Sequence, residues 1–402
     1  MSLTVRTLTD DDYQPFYRMV VSAFLQEPHD SDLELERPLF DLDRVHGAFD
    51  GEQIVGSAGV FARSMTLPGA GPHPVAAVTS VAVRPDQRRR GAMSLLMRAQ
   101  LHLLHERGLE SFAALWASEG GIYGRFGYGA AAEYARLRIP RGAKFLDGVD
   151  IGTDRVRELP REEAMPLMAQ IHDQVAPTRA GWLKRTDASW AYYLRDEEHH
   201  RGGWSAYRFV VHPKGYAIYR AEPGGDDRGP RYVLHVREVT ALDGQAYAAL
   251  HRYLLDVDWV SELTFFTGSD EPVQHLLADP RQVLRRTADS LWVRLVDVDR
   301  ALVLRRYLSD VDTVLEVTDA LCPWNAGRWR LTVQSGAATV RRVADEPDVE
   351  LDIAALGAVF LGGTRLAVLA AAQQVRERTP GAVTALSHAF AGERDPHCPE
   401  DF

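Results

Sequence analysis

The sequence is poor in cysteine and in net positive charge. Its 402 residues include two cysteines, Cys322 and Cys398, which are too few for a disulfide framework or a cysteine metal cluster and which suit a reducing compartment. Lysine and arginine total 46 against 56 aspartates and glutamates, a formal net charge of −10. Because duplex binding needs a surplus of cations, we expect no nucleic-acid partner. A cationic amine, by contrast, would be attracted to this charge.

Long apolar runs are also missing. The N-terminal residues are acidic and contain no apolar run, so we predict no signal peptide. The most apolar tract, 356–372, is broken by Gly362, Gly363 and Arg365, and we interpret it as core and not as a membrane span. The composition, with 46% apolar residues, predicts a globular, cytoplasmic protein of two or three domains.

The order of elements divides the chain into three parts. Residues 1–145, 150–297 and 298–402 are predicted as three domains of mixed α/β architecture. We expect a strand Glu133–Ile139 to complete the first unit and a strand Leu291–Leu295 in the second.

The apolar spacing also predicts individual elements. In the first domain a strand over Val75–Val83 precedes a helix over Ala92–Glu106 and a strand over Phe112–Trp116. In the third domain we expect two helices, Arg365–Arg378 and Val383–Phe390, after alternating strands.

An arginine-rich loop lies between the strand and the helix of the first domain. A helix N-terminus presents unpaired backbone N–H groups, Gly91 lets a ligand approach the backbone, and Arg88, Arg89 and Arg90 add bidentate donors. This arrangement is typical of a pyrophosphate site, and a solvated basic loop is the alternative. The matching loop of the second domain, 240–245, has no arginine, so only the first domain would keep an anion site.

A glycine-rich stretch, 118–129, holds five glycines around two tyrosines. We interpret Tyr128 as a packed core residue and Tyr123 as a displayed phenol. A phenol with a pKa of about 10 can protonate a departing thiolate of slightly lower pKa.

These motifs resemble the GCN5-related N-acetyltransferases (GNAT), and more closely the Eis (enhanced intracellular survival) family of actinobacterial acetyltransferases. The resemblance rests on Val81-Ala-Val83, Arg84-Pro, Arg88-Arg-Arg-Gly91 and above all on 117–129. It implies tandem GNAT domains, the second degenerate, and a sterol-carrier-like C-terminal domain. Met93 departs from the general pattern, which has a small residue there.

The resemblance also implies a site. Acetyl-CoA is the expected cosubstrate, Tyr123 the expected general acid and the α-carboxylate of Phe402 the expected general base, with no metal. The residues expected to bind acetyl-CoA are Val81, Ala82, Val83, Arg88, Arg89, Arg90, Gly91, Ala92, Met93, Ser94, Ser118 and Glu119.

The acceptor would be a primary amine: an aminoglycoside, a polyamine or a lysine. The acidic stretch 27–36 lies where GNAT enzymes build the acceptor pocket, or is a solvated helix. The apolar wall of such a pocket would come from Leu33, Leu35, Leu39 and Phe40, and its aromatic surface from Phe24, Trp116 and Phe402.

Two other functions stay open at this point. One is a lipid- or sterol-binding protein and the other an acetyl-CoA sensor, each with a vestigial GNAT region. The family suggests homo-oligomers, often hexamers. The adjacent His199 and His200 are interpreted as part of a polar surface loop, because neighbouring side chains on a regular element diverge and no distant partner is evident.

Overall fold

Three large sheets organise residues 3–402, the part of the chain that the computed structural model describes. Each sheet is mostly antiparallel and contains one parallel pair of strands. The chain therefore has the mixed α/β architecture that the sequence predicts.

The elements of the first part of the chain agree closely with the predicted ones, and short 3₁₀ turns connect several of them. They are β1 (Thr4–Thr7), α1 (Tyr13–Ala23), α2 (Asp30–Glu36), β2 (His46–Asp50), β3 (Gln53–Leu67), β4 (Gly71–Val83), α3 (Ala92–Arg107), β5 (Phe112–Trp116), α4 (Gly120–Tyr123), β6 (Gly129–Ala130) and β7 (Glu133–Pro140).

The middle of the chain follows a similar order of elements. They are β8 (Arg157–Leu159), α5 (Arg161–Val175), α6 (Asp187–Tyr193), α7 (Glu198–Arg201), β9 (Arg208–His212), β10 (Gly215–Glu222), β11 (Gly225–Asp226), β12 (Gly229–Pro230), β13 (Tyr232–Ala241), α8 (Gly244–Asp256), β14 (Val260–Gly268), β15 (Leu284–Asp289) and β16 (Leu291–Leu295).

The last part of the chain forms a smaller sheet with helices. Its elements are α9 (Val298–Leu302), β17 (Val311–Thr318), β18 (Gly327–Gln334), β19 (Ala337–Arg342), β20 (Val349–Asp352), α10 (Ile353–Val359), α11 (Leu366–Ala371), β21 (Val375–Glu377) and α12 (Ala382–Phe390).

The first two sheets exchange a strand. The first sheet has the order β1-β2-β3-β4-β5-β16-β6, and the second has the order β15-β7-β14-β13-β10-β9-β8. The strands Glu133–Ile139 and Leu291–Leu295 form as predicted, but the first joins the second sheet and the second joins the first sheet, so assigning each to its own unit is wrong for the pairing. A period of two fixes which side chains are buried, but it does not identify the strand that pairs with them.

The third domain packs closely on this exchanged strand. Helix α10 approaches β6 and β16 so tightly that a Cβ at Gly129 would overlap the carbonyl of Ala354, and one at Gly357 would overlap the carbonyl of Val293. The expected helix Arg365–Arg378 is wrong in its second half, because Gln373 takes a left-handed conformation (φ +63°) and β21 follows.

Within residues 3–402, no helix combines the length and the apolar character that crossing a bilayer requires.

Candidate active site

The strands β4 and β5 separate shortly after they meet. They pair in parallel only over Ala76 with Ala113 and Ala77 with Ala114 among the described residues. Beyond that point the edge of β4 that faces β5 has no strand beside it. Its backbone groups can therefore pair with an extended ligand.

A bulge in β4 helps to open this gap. The pairing of β3 with β4 shifts register between Ser57 and Gly59, and Ser80 takes a left-handed backbone conformation (φ +51°). The Ser57 hydroxyl donates a hydrogen bond of 2.7 Å to the carbonyl of Ser80 and fixes the bulge. Bulges re-aim a strand beside many active sites.

The gap leads into a cavity of about 730 Å³, which we call the β4–α3 cleft. It is lined by Ala23, Phe24, Val81, Ala82, Val83, Gln87, Arg88, Arg89, Gly91, Ala92, Met93, Ser94, Ser118, Glu119, Ile122, Tyr123 and Arg125. Every residue expected to bind acetyl-CoA lies here except Arg90, whose guanidinium pairs with Asp50 at 2.6 Å.

The N-terminus of α3 faces this cleft without a side-chain cap. Gly91 precedes the helix in a left-handed conformation (φ +85°), and no side chain accepts a hydrogen bond from the first turn. Arg89 also has positive φ, +64°, which is unusual for a non-glycine residue. The first N–H groups of a helix have no intrahelical partner and carry partial positive charge, so this end suits an anionic group.

Tyr123 lies at the end of α4, on the floor of the cleft, and is buried. Burial raises the pKa of its phenol, and the charge of Glu119 raises it further, whereas a hydrogen bond with Ser118 lowers it. The phenol therefore stays protonated at neutral pH and can donate a proton. Tyr128 packs against it edge-to-face with 6.0 Å between ring centroids and is fully buried, in agreement with its predicted packing role.

A second cavity of about 430 Å³, which we call the tail pocket, adjoins the first. Phe24, Val81, Ser118 and Tyr123 line both. The complete lining is Phe16, Tyr17, Val20, Val21, Phe24, Gln26, Glu36, Val78, Thr79, Ser80, Val81, Trp116, Ala117, Ser118, Tyr123, Tyr192, Asp401 and Phe402. The last two residues of the chain thus lie in the same pocket as Tyr123.

The tail is held there by Glu400, which is buried. Its carboxylate accepts from Arg63 Nη2 at 2.9 Å and from Arg185 Nε at 3.1 Å. Its carbonyl accepts from the indole of Trp116 at 2.9 Å. Buried charged hydrogen bonds of this kind hold the tail firmly in place, because breaking one of them would leave a buried charge without a partner.

The second domain supplies the other half of this anchor. Arg185 also donates to Glu238 on β13 at 2.8 Å, and the Tyr193 hydroxyl donates to the same carboxylate at 2.8 Å. Burial opposes ionisation of Glu238, yet Arg185 more than offsets it and holds the pKa of Glu238 well below its usual value. The network joins β13, the connection before α6 and the tail.

The acceptor wall differs in part from expectation. Phe40 is buried in the core, Leu33 and Leu39 pack against that core, and none of these residues, nor Leu35, lines the tail pocket. Phe24, Trp116 and Phe402 do line the tail pocket.

Two further residues line the tail pocket, Tyr192, which the sequence did not single out, and Glu36, which it marked only as part of the acidic stretch 27–36. Tyr192 comes from the second domain, where no local motif marks it. Glu36 ends the acidic stretch, and burial raises its pKa to about 7. Its place at the end of α2 only becomes evident once that helix is seen against the pocket.

The interpretation of His199 and His200 as a loop without a distant partner is wrong. They lie on α7, and both imidazoles bond the carboxylate of Asp32 on α2. The partner is 167 positions away along the chain, beyond the reach of any spacing argument.

Comparison with known proteins agrees with this architecture. Models of an acetyltransferase (GNAT) domain match residues 4–131 and 181–295, and a model of a sterol carrier protein domain matches residues 298–399. An uncharacterized N-acetyltransferase of Streptomyces avermitilis is 38% identical over the full length of both chains. N-acetyltransferase Eis of Mycobacterium tuberculosis is 33% identical over 98% of each chain.

Solved structures give the same result. Eis1 from Mycobacterium abscessus superposes with a TM-score of 0.87 at 33% identity, covering 99% of this chain and 100% of that one. A GCN5-related N-acetyltransferase from Anabaena variabilis shares the fold over the whole of both chains, with a TM-score of 0.85 at 19% identity.

The predicted tandem GNAT domains and sterol-carrier-like domain are confirmed, and a GNAT fold implies acetyl-CoA as cosubstrate. The chain belongs to the Eis family of GCN5-related N-acetyltransferases.

Proposed function

We propose that this N-acetyltransferase moves the acetyl group of acetyl-CoA directly to a primary amine within a ternary complex. The observation that carries the proposal is the position of Tyr123, which lines both the β4–α3 cleft and the tail pocket that contains Phe402. A donor bound in the first cavity and an amine in the second would meet at this tyrosine.

The β4–α3 cleft suits acetyl-CoA in its charge and its backbone. Arg88, Arg89 and the uncapped start of α3 would hold the pyrophosphate. The open edge of β4 at 81–83 would pair with the amides of the pantetheine arm, next to Ser118 and Glu119. The fit supports every predicted cosubstrate contact except that of Arg90, whose guanidinium pairs with Asp50.

Proton transfer would use the two predicted groups. The Phe402 α-carboxylate accepts a proton from the amine, whose nitrogen attacks the acetyl carbonyl carbon. A C–N bond forms, the C–S bond breaks, and Tyr123 donates its proton to the CoA thiolate. The geometric requirement is reach within about 2.6–3.2 Å or through one water.

The tail pocket favours a cationic acceptor. Asp401 brings negative charge to it, Glu36, with a pKa of about 7, is partly ionised at neutral pH, and Phe24 and Trp116 offer aromatic faces against which an ammonium group can lie. Aminoglycosides, polyamines and lysine side chains all carry such a group, and we propose acceptors from these classes.

A covalent acyl-cysteine route is not supported. Both cysteines are buried, neither lines the two cavities, and burial raises the pKa of each thiol to about 12. A thiol with so high a pKa is a poor nucleophile at neutral pH.

The decisive experiment measures acetyl-CoA consumption with aminoglycosides, polyamines, arylalkylamines and lysine peptides. We expect at least one class to be acetylated by the wild type, with much slower turnover by the Tyr123→Phe variant, which loses only the hydroxyl. Equal rates for wild type and variant with every amine would contradict the proposal. Light scattering would test the homo-oligomer that we also propose, a hexamer, and localisation of a fusion at the N-terminus would test a cytoplasmic site.

A further inference from the structure

Two histidines and an aspartate from different domains converge next to the tail pocket. Nε2 of His199 donates to Oδ2 of Asp32 at 3.0 Å, and Nε2 of His200 donates to Oδ1 of the same residue at 2.7 Å. Asp32 is on α2 of the first domain, whereas the histidines are on α7 of the second. Each residue offers one potential ligand atom, and these atoms all lie within 4.8 Å of one another.

The spacing of these atoms is close to that of a metal site. Tetrahedral Zn²⁺ with bonds of about 2.0–2.1 Å to nitrogen and oxygen separates its ligand atoms by about 3.3 Å. The N···O distances of 2.7 and 3.0 Å would need to open by about 0.3–0.6 Å, and any ligand atoms that lie farther apart, within the 4.8 Å limit, would need to draw together around the ion. Two imidazoles and one carboxylate are a common set for a divalent transition metal and leave one position for water.

The surroundings favour a cation and keep the site reachable. Asp32 has 11% of its side chain exposed, and each histidine about a quarter, so an ion can enter from solvent. His29 stacks on His199 with 3.7 Å between ring centroids and restricts the rotation of that ring. Two positions before His199, at the N-cap of α7, Glu197 has a buried carboxylate oxygen, Oε2, without a partner among the described residues.

We propose that Asp32, His199 and His200 bind one Zn²⁺ ion, which fastens α2 to α7. This site is separate from the acetyl-transfer groups, and the proposal does not rest on the acetyl-transfer mechanism. Its effect on the fold is local: α2 ends at Glu36, which lines the tail pocket, so the ion holds one wall of that pocket against the second domain.

The test uses the full-length protein without a polyhistidine tag, treated with a chelator and then titrated calorimetrically with zinc chloride. We expect one ion per chain. Asp32→Asn, which keeps the side-chain shape, and the double variant His199→Gln/His200→Gln should each weaken binding at least tenfold. The matched control is His235→Gln, another partly buried histidine with a carboxylate partner, Glu222, at 2.7 Å, and it should bind zinc as the wild type does.

A second measurement keeps the result clear if a variant folds poorly. Wild-type protein titrated with Co²⁺ should show the intense visible absorption of a four-coordinate ion, and Zn²⁺ should abolish it. Hydrogen exchange over residues 30–36 should slow when zinc is added. The absence of stoichiometric binding, or unchanged zinc affinity in both site variants, would overturn the proposal.

Discussion

The first and second GNAT domains place a helix after one strand of a parallel pair, but they treat the helix N-terminus in opposite ways. In the first, Gly91 leaves the start of α3 uncapped, and Arg88 and Arg89 lie beside it. In the second, the Asp243 carboxylate caps α8 by accepting from the N–H of Ala246 at 2.9 Å, and it also pairs with Lys214 at 3.0 Å. A carboxylate at this position repels phosphate, so of these two helix starts only that of α3 suits an anion.

The second domain has nevertheless kept an opening beside β13 and α8. A cavity of about 380 Å³ there is lined by Glu238 and Asp243, and also by His397 and Pro399 of the C-terminal tail. One opening therefore faces a proposed cosubstrate, while the other receives the tail that carries Phe402. Two domains of one fold therefore differ in what lies at the corresponding opening, which in the second domain is lined by tail residues.

The largest effect is expected from moving the chain end. Extending the protein beyond Phe402 turns its carboxylate into a neutral amide and should lower kcat by about 10²–10⁴-fold, since general base catalysis is lost. The affinity for acetyl-CoA should stay within about twofold. Steady-state kinetics on an extended protein of verified mass would check this, and wild-type kcat would disprove the role of the tail.

Removing the hydroxyl of Tyr123 should reduce the rate by a similar or somewhat smaller factor. Tyr123→Phe keeps the buried ring, so the fold and the acetyl-CoA KM should hold, while kcat falls within about 10²–10⁴-fold. Tyr128→Phe is the matched control, because its hydroxyl is buried without a partner among the described residues. Equal kcat values for the two variants would refute the assignment.

Cutting the anchor between the second domain and the tail should reduce stability and rate together. Arg185→Met leaves Glu238 and Glu400 buried without their shared cation, which costs about 3–5 kcal/mol of unfolding free energy. Glu400→Gln removes one charge with little change of shape and should lower kcat more than it lowers stability. Denaturant unfolding and kinetics would measure both.

The control for this anchor is Arg138→Met. The Arg138 side chain is more than half exposed in its pair with Glu262, so solvent screens the pair and its loss should cost much less than the loss of Arg185. If Arg185→Met lowered the unfolding free energy and kcat no more than this control, the proposal that the second domain anchors the tail would be contradicted.

Substitutions in the arginine loop should have a smaller effect, and they should change the acetyl-CoA KM and not kcat. Arg88→Ala and Arg89→Ala should each raise the acetyl-CoA KM, because each removes a phosphate contact worth about 1.5–3 kcal/mol, with the lower end favoured for exposed side chains. Arg90→Ala should act less, since Arg90 pairs with Asp50. Unchanged CoA affinity in the Arg88→Ala/Arg89→Ala double variant would show that the loop is only solvated.

The smallest effect on catalysis is expected at the start of α8 in the second domain, the position that corresponds to the start of α3. Asp243→Ala removes the cap of α8 and should lower the unfolding free energy by about 0.5–2 kcal/mol. Acetyl-CoA KM and kcat should not change, because this helix end binds no cosubstrate. A weaker affinity for acetyl-CoA in this variant would indicate that the second domain still binds the cosubstrate.

The sequence by itself determined those features that depend only on residues close together in the chain, namely individual helices and strands and the local motifs. Apolar spacing predicted α3, β4 and β5 to within a few residues, and the arginine loop with Gly91 marked the helix start that faces the cleft. The glycine-rich stretch around Tyr123 identified the family. These features are local, because turn chemistry, capping and burial periodicity act over a few positions.

Only the tertiary structure decided which distant residues meet. Strands β7 and β16 have the alternation of any half-buried strand, so their exchange between the sheets cannot be deduced from their residues. The same holds for Arg185 between Glu238 and Glu400, and for Asp32 between two histidines. Pairing across fifty or more positions depends on how whole sheets pack, and a spacing pattern carries no information about that packing.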